Sequence, residues 1–267
     1  MNNFYSPFPE VNAILDELLT NVQSILGNHF IGMYLFGSLA SGDFDPQRSD
    51  IDFVIVTADN LPAEMVSALE TLHARMTASG AKWAAKLEGT YIPQGALRRY
   101  NPEDGPFPCI NEGKFYMARH ESHWVLARHI LREQGIVIAG PGPRTLIEPV
   151  HPDDLRRAVK EFLREWWSPM LDNPVRLQSA EYQAYAVLTM CRAFYTLKNG
   201  TIASKPVAAR WARETLNQRW VPLIERAWFG RQNPGVKAQA DEVHETLDLI
   251  RYTLECSQQF ERTTEGR

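Results

Sequence analysis

Apolar residues recur at helical spacing from the start of the chain. Val11, Ile14, Leu15, Leu18, Leu19, Val22, Ile25 and Leu26 predict a helix over Glu10–Leu26, and Gly27 is a natural stop. The pattern then changes. Phe30 to Phe36 is a short apolar run ending at Gly37-Ser38, which reads as a strand entering a tight turn. Ile51 to Thr57, rich in β-branched residues, reads as a second strand. A helix is expected from Pro62 to Ala78, with Gly80 beyond its end, and a third strand from Lys86 to Ile92, stopped by Pro93. Between Pro93 and Gly113 stand Pro93, Pro102, Pro106 and Pro108 together with three glycines, a composition that predicts a long loop. A helix over Ser122–Glu133 and a short strand over Ile136–Ala139 follow, before Gly140-Pro141-Gly142-Pro143 breaks the chain.

Beyond this break the pattern is helical alone. Segments 153–167, 182–198, 204–216, 219–229 and 236–260 each carry a 3.6-residue period. The chain therefore reads as an α+β protein of two domains: residues 1–143 with a small mixed sheet and helices, and residues 144–267 as an all-α bundle. A length of 267 residues suits two cores.

Composition narrows the function classes. Hydrophobic residues are 44% and charged residues 22%, as in ordinary globular domains, which excludes a disordered or collagen-like chain. The net charge of −4 argues against non-specific nucleic-acid binding, which rests on excess Lys and Arg. No run approaches a membrane span, and Met1 to Pro7 shows no signal-peptide pattern. Three scattered cysteines, Cys109, Cys191 and Cys256, argue against a disulfide framework and fit a reducing compartment. A cytoplasmic monomer without nucleic-acid or membrane partners is expected.

The chemistry concentrates in Leu35-Phe36-Gly37-Ser38 and Asp50-Ile51-Asp52-Phe53-Val54. Side chains alternate along a strand, so Asp50 and Asp52 share one face while Ile51, Phe53 and Ile55 point into a core. Two adjacent carboxylates repel unless a cation lies between them. Oxygen ligands of this kind suit Mg²⁺, which binds through one or two carboxylates plus substrate phosphates. Gly37 lets backbone amides approach an anion, and Ser38 offers a hydroxyl to a phosphate oxygen. The nearby Asp43-Phe44-Asp45, before Pro46, reads as a solvated loop. Glu88 stands within the third strand, and an antiparallel neighbour would set it beside Asp50 and Asp52; an edge-strand glutamate facing water is the ordinary alternative. His120, His123 and His129 offer no third ligand type, so no zinc site is expected.

These residues resemble a known family. Gly37-Ser38 followed by Asp50-x-Asp52 looks like the signature of the DNA polymerase β-type nucleotidyltransferases. Across residues 11 to 250 the chain resembles the aminoglycoside nucleotidyltransferases of the streptomycin/spectinomycin adenylyltransferase group. Four segments carry the likeness: Arg48-Ser49-Asp50-Ile51-Asp52, Leu87-Glu88, the helix from Leu188 to Leu197 and the turn from Ile202 to Ala209. The resemblance implies ATP and Mg²⁺ as cofactors, with Asp50 and Asp52 as metal-binding catalytic residues. Glu88 would be the base that deprotonates an acceptor hydroxyl and a further contact of the metal. Gly37, Ser38 and Ser49 would bind the nucleotide. The implied reaction transfers AMP to a hydroxyl of a cationic antibiotic, streptomycin or spectinomycin. The alternative is the same chemistry on another metabolite or a protein hydroxyl; a nucleotide-binding module without turnover and a polymerase are the remaining classes.

The helical half adds cations. Glu181, Tyr185, Leu188/Thr189 and Arg192 fall on one helix face. Ser204 is a candidate N-cap, and Lys205 follows in a first turn where a cation opposes the helix dipole. A residue that breaks a local rule is a candidate for function, so Arg192 and Lys205 are expected to bind the triphosphate. A polycationic acceptor needs carboxylates, and Glu112, Asp172 and Glu181, with Tyr185, are the substrate-binding candidates. Trp166, Trp167, Trp211, Trp220 and Trp228 read as anchors between helices. No tryptophan stands between Trp167 and Trp211, where the resembling group has one that contacts the drug, so weaker or narrower drug recognition is expected.

Overall fold

Strict alternation in the apolar strands builds a sheet covered on both faces. In the computed structural model, which describes residues 5–232 and 240–264, the chain divides into two compact units, Met1–Val150 and His151–Arg267. The first unit runs α1 (Pro9–Leu26), β1 (Phe30–Leu35), α2 (Gly37–Ser41), β2 (Ile51–Thr57), α3 (Ala63–Ala78), β3 (Leu87–Pro93), α4 (Gln94–Arg98), β4 (Phe107–Asn111), β5 (Lys114–Ala118), α5 (His123–Gln134), β6 (Ile136–Ala139) and α6 (Pro143–Leu146). Its six strands lie in the order β5-β4-β3-β2-β1-β6. Neighbours are antiparallel except β2 and β3, which run parallel.

The two sheet faces bury different residues. Met33, Leu35, Ile51, Phe53 and Ile55 pack with Leu15, Leu18, Leu69 and Leu72 of α1 and α3. Tyr34, Val54, Val56 and Ile92 pack on the other face with Leu97, Phe107, Leu131 and Leu146. Ile51, Phe53 and Ile55 thus point into a core, as the alternation requires. Asp52 shares its parity with Val54 and Val56 and belongs to the face bearing Leu131 of α5. Leu146 and Ile147 complete that second core, so α6 is part of the first unit.

Two expectations change. Residues 93–113 are not one loop: α4 and β4 lie inside them, and β4 pairs with both β3 and β5. Prolines hid the strand. Pro108 pairs with Met117, and its carbonyl accepts a hydrogen bond from the Thr90 hydroxyl at 3.1 Å. The hairpin closes through Glu112-Gly113, both at positive φ (48° and 71°), the geometry of a tight two-residue turn. The second change is the parallel β2–β3 pairing, where an antiparallel neighbour was expected. The long α3 crossover between the two strands makes parallel pairing the natural outcome.

The second unit is helical: α7 (Pro152–Phe162), continued by a wide π-helical turn at Leu163–Trp167, then α8 (Ala180–Asn199), α9 (Lys205–Thr215), α10 (Val221–Gln232) and α11 (Ala240–Thr264). The expected start of the last helix at Val236 lies outside the described residues. The helix α8 is central and packs against the other four. It ends at Gly200, whose left-handed φ of 65° closes the helix. Trp167 is fully buried and Trp220 nearly so, as expected of anchors, while Tyr195 holds Trp211 edge-on. Among the described residues no helix is long and apolar enough to cross a membrane, and the three cysteines are free.

Two buried histidines make the stability of the first unit pH-sensitive. His73 meets the Tyr91 hydroxyl at 2.7 Å, and burial lowers its pKa to about 4. His120 stacks on Trp124 at 3.6 Å; burial first, then Arg128 and His123, lowers its pKa to about 2. Unfolded histidine titrates near 6.5, so below that pH the unfolded chain binds protons that the folded chain refuses. Stability is therefore expected to fall by about 1–2 kcal/mol for each histidine between pH 7 and 5. Urea denaturation across this range checks it: a flat profile contradicts the assignment, and His73→Asn should remove about half the slope.

Candidate active site

The parallel pairing of β2 and β3 sets the candidate catalytic carboxylates side by side. The register matches Ile51 with Leu87 and Asp52 with Glu88. Opposed residues in a sheet project to the same face, so Asp52 and Glu88 stand together, both half-buried. The same register carried one step back explains a further pair. Asp50 and Lys86 precede the two strands, and the Lys86 Nζ lies 3.0 Å from Asp50 Oδ1.

Gly37 braces Asp52 from the adjacent turn. The Phe36 amide donates to the Asp52 carbonyl at 3.1 Å, tying the turn to β2. Gly37 has a φ of +63°, and a Cβ added to it would fall 1.9 Å from Asp52 Oδ2. Only a glycine allows that approach. Ser38 follows within α2, a helix of five residues. Its summed dipole is small, so the turn's amides and the Ser38 hydroxyl are what it can offer an anion.

Ser49 plays a supporting part here. It is buried, its hydroxyl accepts the Asp45 amide at 3.0 Å, and its own amide donates to the Asp45 carbonyl at 2.8 Å. The Asp43–Asp45 loop is anchored rather than merely solvated: Phe44 packs on Phe8 and Trp83 at 5.1 and 5.5 Å.

The face that bears Asp52 and Glu88 continues across the sheet. Val54, Thr90, Cys109 and Tyr116 form one register row beside the Asp52–Glu88 row. The Tyr116 phenol is raised above its usual pKa by burial first, then by Cys109 and by Glu88, although its side chain is largely exposed. Thr90 joins the Cys109 thiol at 3.4 Å and His120 at 3.2 Å. Sequence reading singled out neither Lys86 nor Tyr116 as a site residue. A Lys-x-Glu matching the Asp-x-Asp was the available signal for Lys86, but it needed the strand pairing to become visible. Tyr116 lies in β5, which pairs with the proline-masked β4.

The oxygen donor set fits Mg²⁺. Among the described residues no three His, Cys, Asp or Glu side chains form a ready-made metal cluster. Mg²⁺ needs no such cluster, since one or two carboxylates plus substrate phosphates suffice. Asp50 and Asp52 would hold the ion, with Glu88 next to them. His120 is engaged with Trp124 and Thr90.

The second unit brings Arg192 and Lys205 to one place. Arg192 Nε donates to the Ala203 carbonyl at 3.1 Å, pulling the start of α9 toward α8. Ser204 occupies the N-cap position of α9 without a side-chain cap bond, and Lys205 is the first helical residue. The Lys205 ammonium sits 5.7 Å over the ring of Tyr185, itself 5.7 Å from Trp167. Glu181 and Tyr185 are exposed and Thr189 and Arg192 half-buried, while Leu188 points into the core. Asp172 is exposed near the end of the Ser168–Leu171 turn, apart from this helix face in sequence. Glu112 lies at the β4–β5 hairpin tip in the first unit.

Comparison with known proteins bears on this arrangement. Residues 15–88 match the nucleotidyltransferase domain, and residues 145–255 match the C-terminal domain of aminoglycoside adenylyltransferase. The two regions together span well over half of the chain. It is similar to the aminoglycoside adenylyltransferases over both regions. An aminoglycoside (3'')(9) adenylyltransferase of Escherichia coli is 26% identical over 255 residues, covering 91% of this chain and 94% of the relative. A spectinomycin 9-adenylyltransferase of Staphylococcus aureus is 25% identical over 246 residues, covering 86% and 87%. The fold is shared with the spectinomycin adenyltransferase AAD(9) from Enterococcus faecialis, solved with ATP and spectinomycin. The TM-score is 0.67 and the identity 20%, covering 90% of this chain and 98% of that one. The likeness thus rests on both halves of the chain, and the nucleotidyltransferase match ends at Glu88 itself.

Gly37 offers a direct test of the brace. In Gly37→Ala the new methyl group collides with the Asp52 carboxylate, and the left-handed backbone costs about 1–2 kcal/mol. The variant should lose about that much stability by denaturant titration. It should also lose nucleotidyl transfer by at least about 100-fold, because a displaced Asp52 carboxylate no longer stands where it could hold a cation against the nucleotide phosphates. Unchanged turnover would show that the contact is incidental.

Proposed function

We propose that the protein transfers AMP from ATP to a hydroxyl of an aminoglycoside-type antibiotic, streptomycin or spectinomycin, and so confers resistance. The observation that carries this reading is the Asp52–Glu88 pair in register on adjacent parallel strands, braced by Gly37, within a chain matched by both family domains. The relatives are named for aminoglycoside and spectinomycin adenylylation, and the structural neighbour was solved with ATP and spectinomycin.

In this reading Asp50 and Asp52 hold Mg²⁺, which supplies charge neutralisation at the nucleotide phosphates. Glu88 accepts the proton of the acceptor hydroxyl, whose oxygen then attacks the α-phosphorus. Pyrophosphate leaves from the opposite side. Positioning and charge carry most of the rate, since the protein forms no covalent bond. Gly37 and Ser38 contact phosphate oxygens, and Ser49 supports the loop that carries Asp50. Arg192 and Lys205 act as phosphate ligands of the nucleotide. Tyr185 and the carboxylates Glu112, Asp172 and Glu181 are the acceptor-binding candidates. Action inside the cell, where ATP is available, goes with this reading, as does a monomer.

Two measurements test it. A sensitive bacterium expressing the protein should tolerate raised spectinomycin or streptomycin, and the purified protein should release pyrophosphate with the same drug. Failure with both drugs leaves the same chemistry on a different metabolite or protein hydroxyl as the reading to pursue.

The base assignment has its own test. Glu88→Gln should keep ATP affinity within a few-fold and lower kcat by about 10²–10⁴. A change confined to KM would make Glu88 a binding residue instead.

A further inference from the structure

We propose that Lys86 is a built-in counter-cation that holds Asp50 until a divalent cation displaces it, so that metal binding is coupled to release of this lysine. The inference rests on the metal role given above to Asp50 and goes beyond it.

The geometry is specific. Lys86 closes a short turn at Ala84–Lys86 immediately before β3, and Asp50 immediately precedes β2. Carried back from the Ile51–Leu87 pair, the parallel register brings these two positions opposite each other, two residues before the Asp52–Glu88 pair. The ammonium reaches Asp50 at 3.0 Å. Without this charge, Asp50, Asp52 and Glu88 would gather three carboxylates at the same ends of two strands, an arrangement that like-charge repulsion disfavours. The neighbouring cation, Lys82, is engaged elsewhere: its ammonium donates to the Pro46 carbonyl at 2.9 Å and lies 4.6 Å over the Trp83 ring. Lys86 thus meets Asp50 directly.

The pair is also weak enough to exchange. Both side chains are about 40% exposed (40% for Lys86 and 43% for Asp50), so water screens their attraction. A divalent ion with direct carboxylate coordination carries twice the charge and can replace the ammonium. When it does, the lysine's flexible four-carbon stem lets the head swing into solvent or toward an anion. The consequence is a tax on free metal: the ion must compete with Lys86 to reach Asp50. Metal arriving with the nucleotide's phosphates, which add their own ligands, is penalised less.

The experiment measures Mn²⁺ binding to the full-length protein by electron paramagnetic resonance or calorimetry, without nucleotide. Lys86→Met should bind Mn²⁺ more tightly than the parent by about 2–5-fold, the range an exposed ion pair supports. Lys86→Arg keeps the charge and should stay close to the parent. The gain should shrink when Mn²⁺ is offered with a non-hydrolysable ATP analogue. Asp50→Asn serves as the reference arm and should lose most of the affinity. If Asp50→Asn loses it but Lys86→Met binds like the parent or more weakly, the counter-cation role is overturned while the metal reading stands. If Asp50→Asn binds Mn²⁺ as the parent does, the metal reading itself fails, and the proposal with it.

Discussion

The parallel pairing of β2 with β3 is the constraint on which the candidate chemistry depends. Its register puts Asp52 opposite Glu88, and just before the two strands Lys86 meets Asp50. A one-residue slip would send Glu88 to the opposite face, into the layer formed by α1 and α3. The apolar residues around it prevent that slip. Ile51, Phe53 and Ile55 on one face, and Val54 and Val56 on the other, are each buried against a different set of helices. The carboxylates thus inherit their positions from the core, and Gly37 then fixes the approach of the neighbouring turn to Asp52.

The same construction explains why charged groups are tolerated at this place. Asp50, Asp52 and Glu88 stand at strand beginnings, where they are half-buried and water still reaches them. Deeper in the same strands the polar groups are uncharged and tied up: Thr90 bonds Pro108, and His73 meets Tyr91. The helical unit follows a similar logic. The buried side of α8 packs its neighbours, while its Glu181–Tyr185–Thr189–Arg192 stripe stays open beside Lys205.

Much of this was legible in the residues. Helical periods located α1, α3, α5 and the helices of the second unit, and short apolar or β-branched runs located the first three strands, whose central members bury both faces. The Gly-Ser turn and the Asp-x-Asp strand were visible because carboxylates interrupt an otherwise apolar run. What escaped notice depended on partners far away in sequence. Pro106 and Pro108 masked β4, whose strand character comes from pairing with β3 and β5 rather than from local propensity. The direction of β3 against β2, and with it the Lys86–Asp50 pair, followed from the crossover and not from any single segment. Tyr116 joins the row beside Asp52 and Glu88 only once that sheet is assembled.

The central claim is that these carboxylates direct attack at the α-phosphorus of ATP. The most direct measurement follows two labelled forms of ATP, one carrying the label in the α-phosphate and one in the γ-phosphate, with Mg²⁺ and spectinomycin or streptomycin. The account requires the α-label to appear on the drug, in a product heavier by one AMP, while the γ-label leaves as pyrophosphate. Transfer of the γ-label to the drug would contradict it, because the site would then be performing phosphorylation rather than adenylylation.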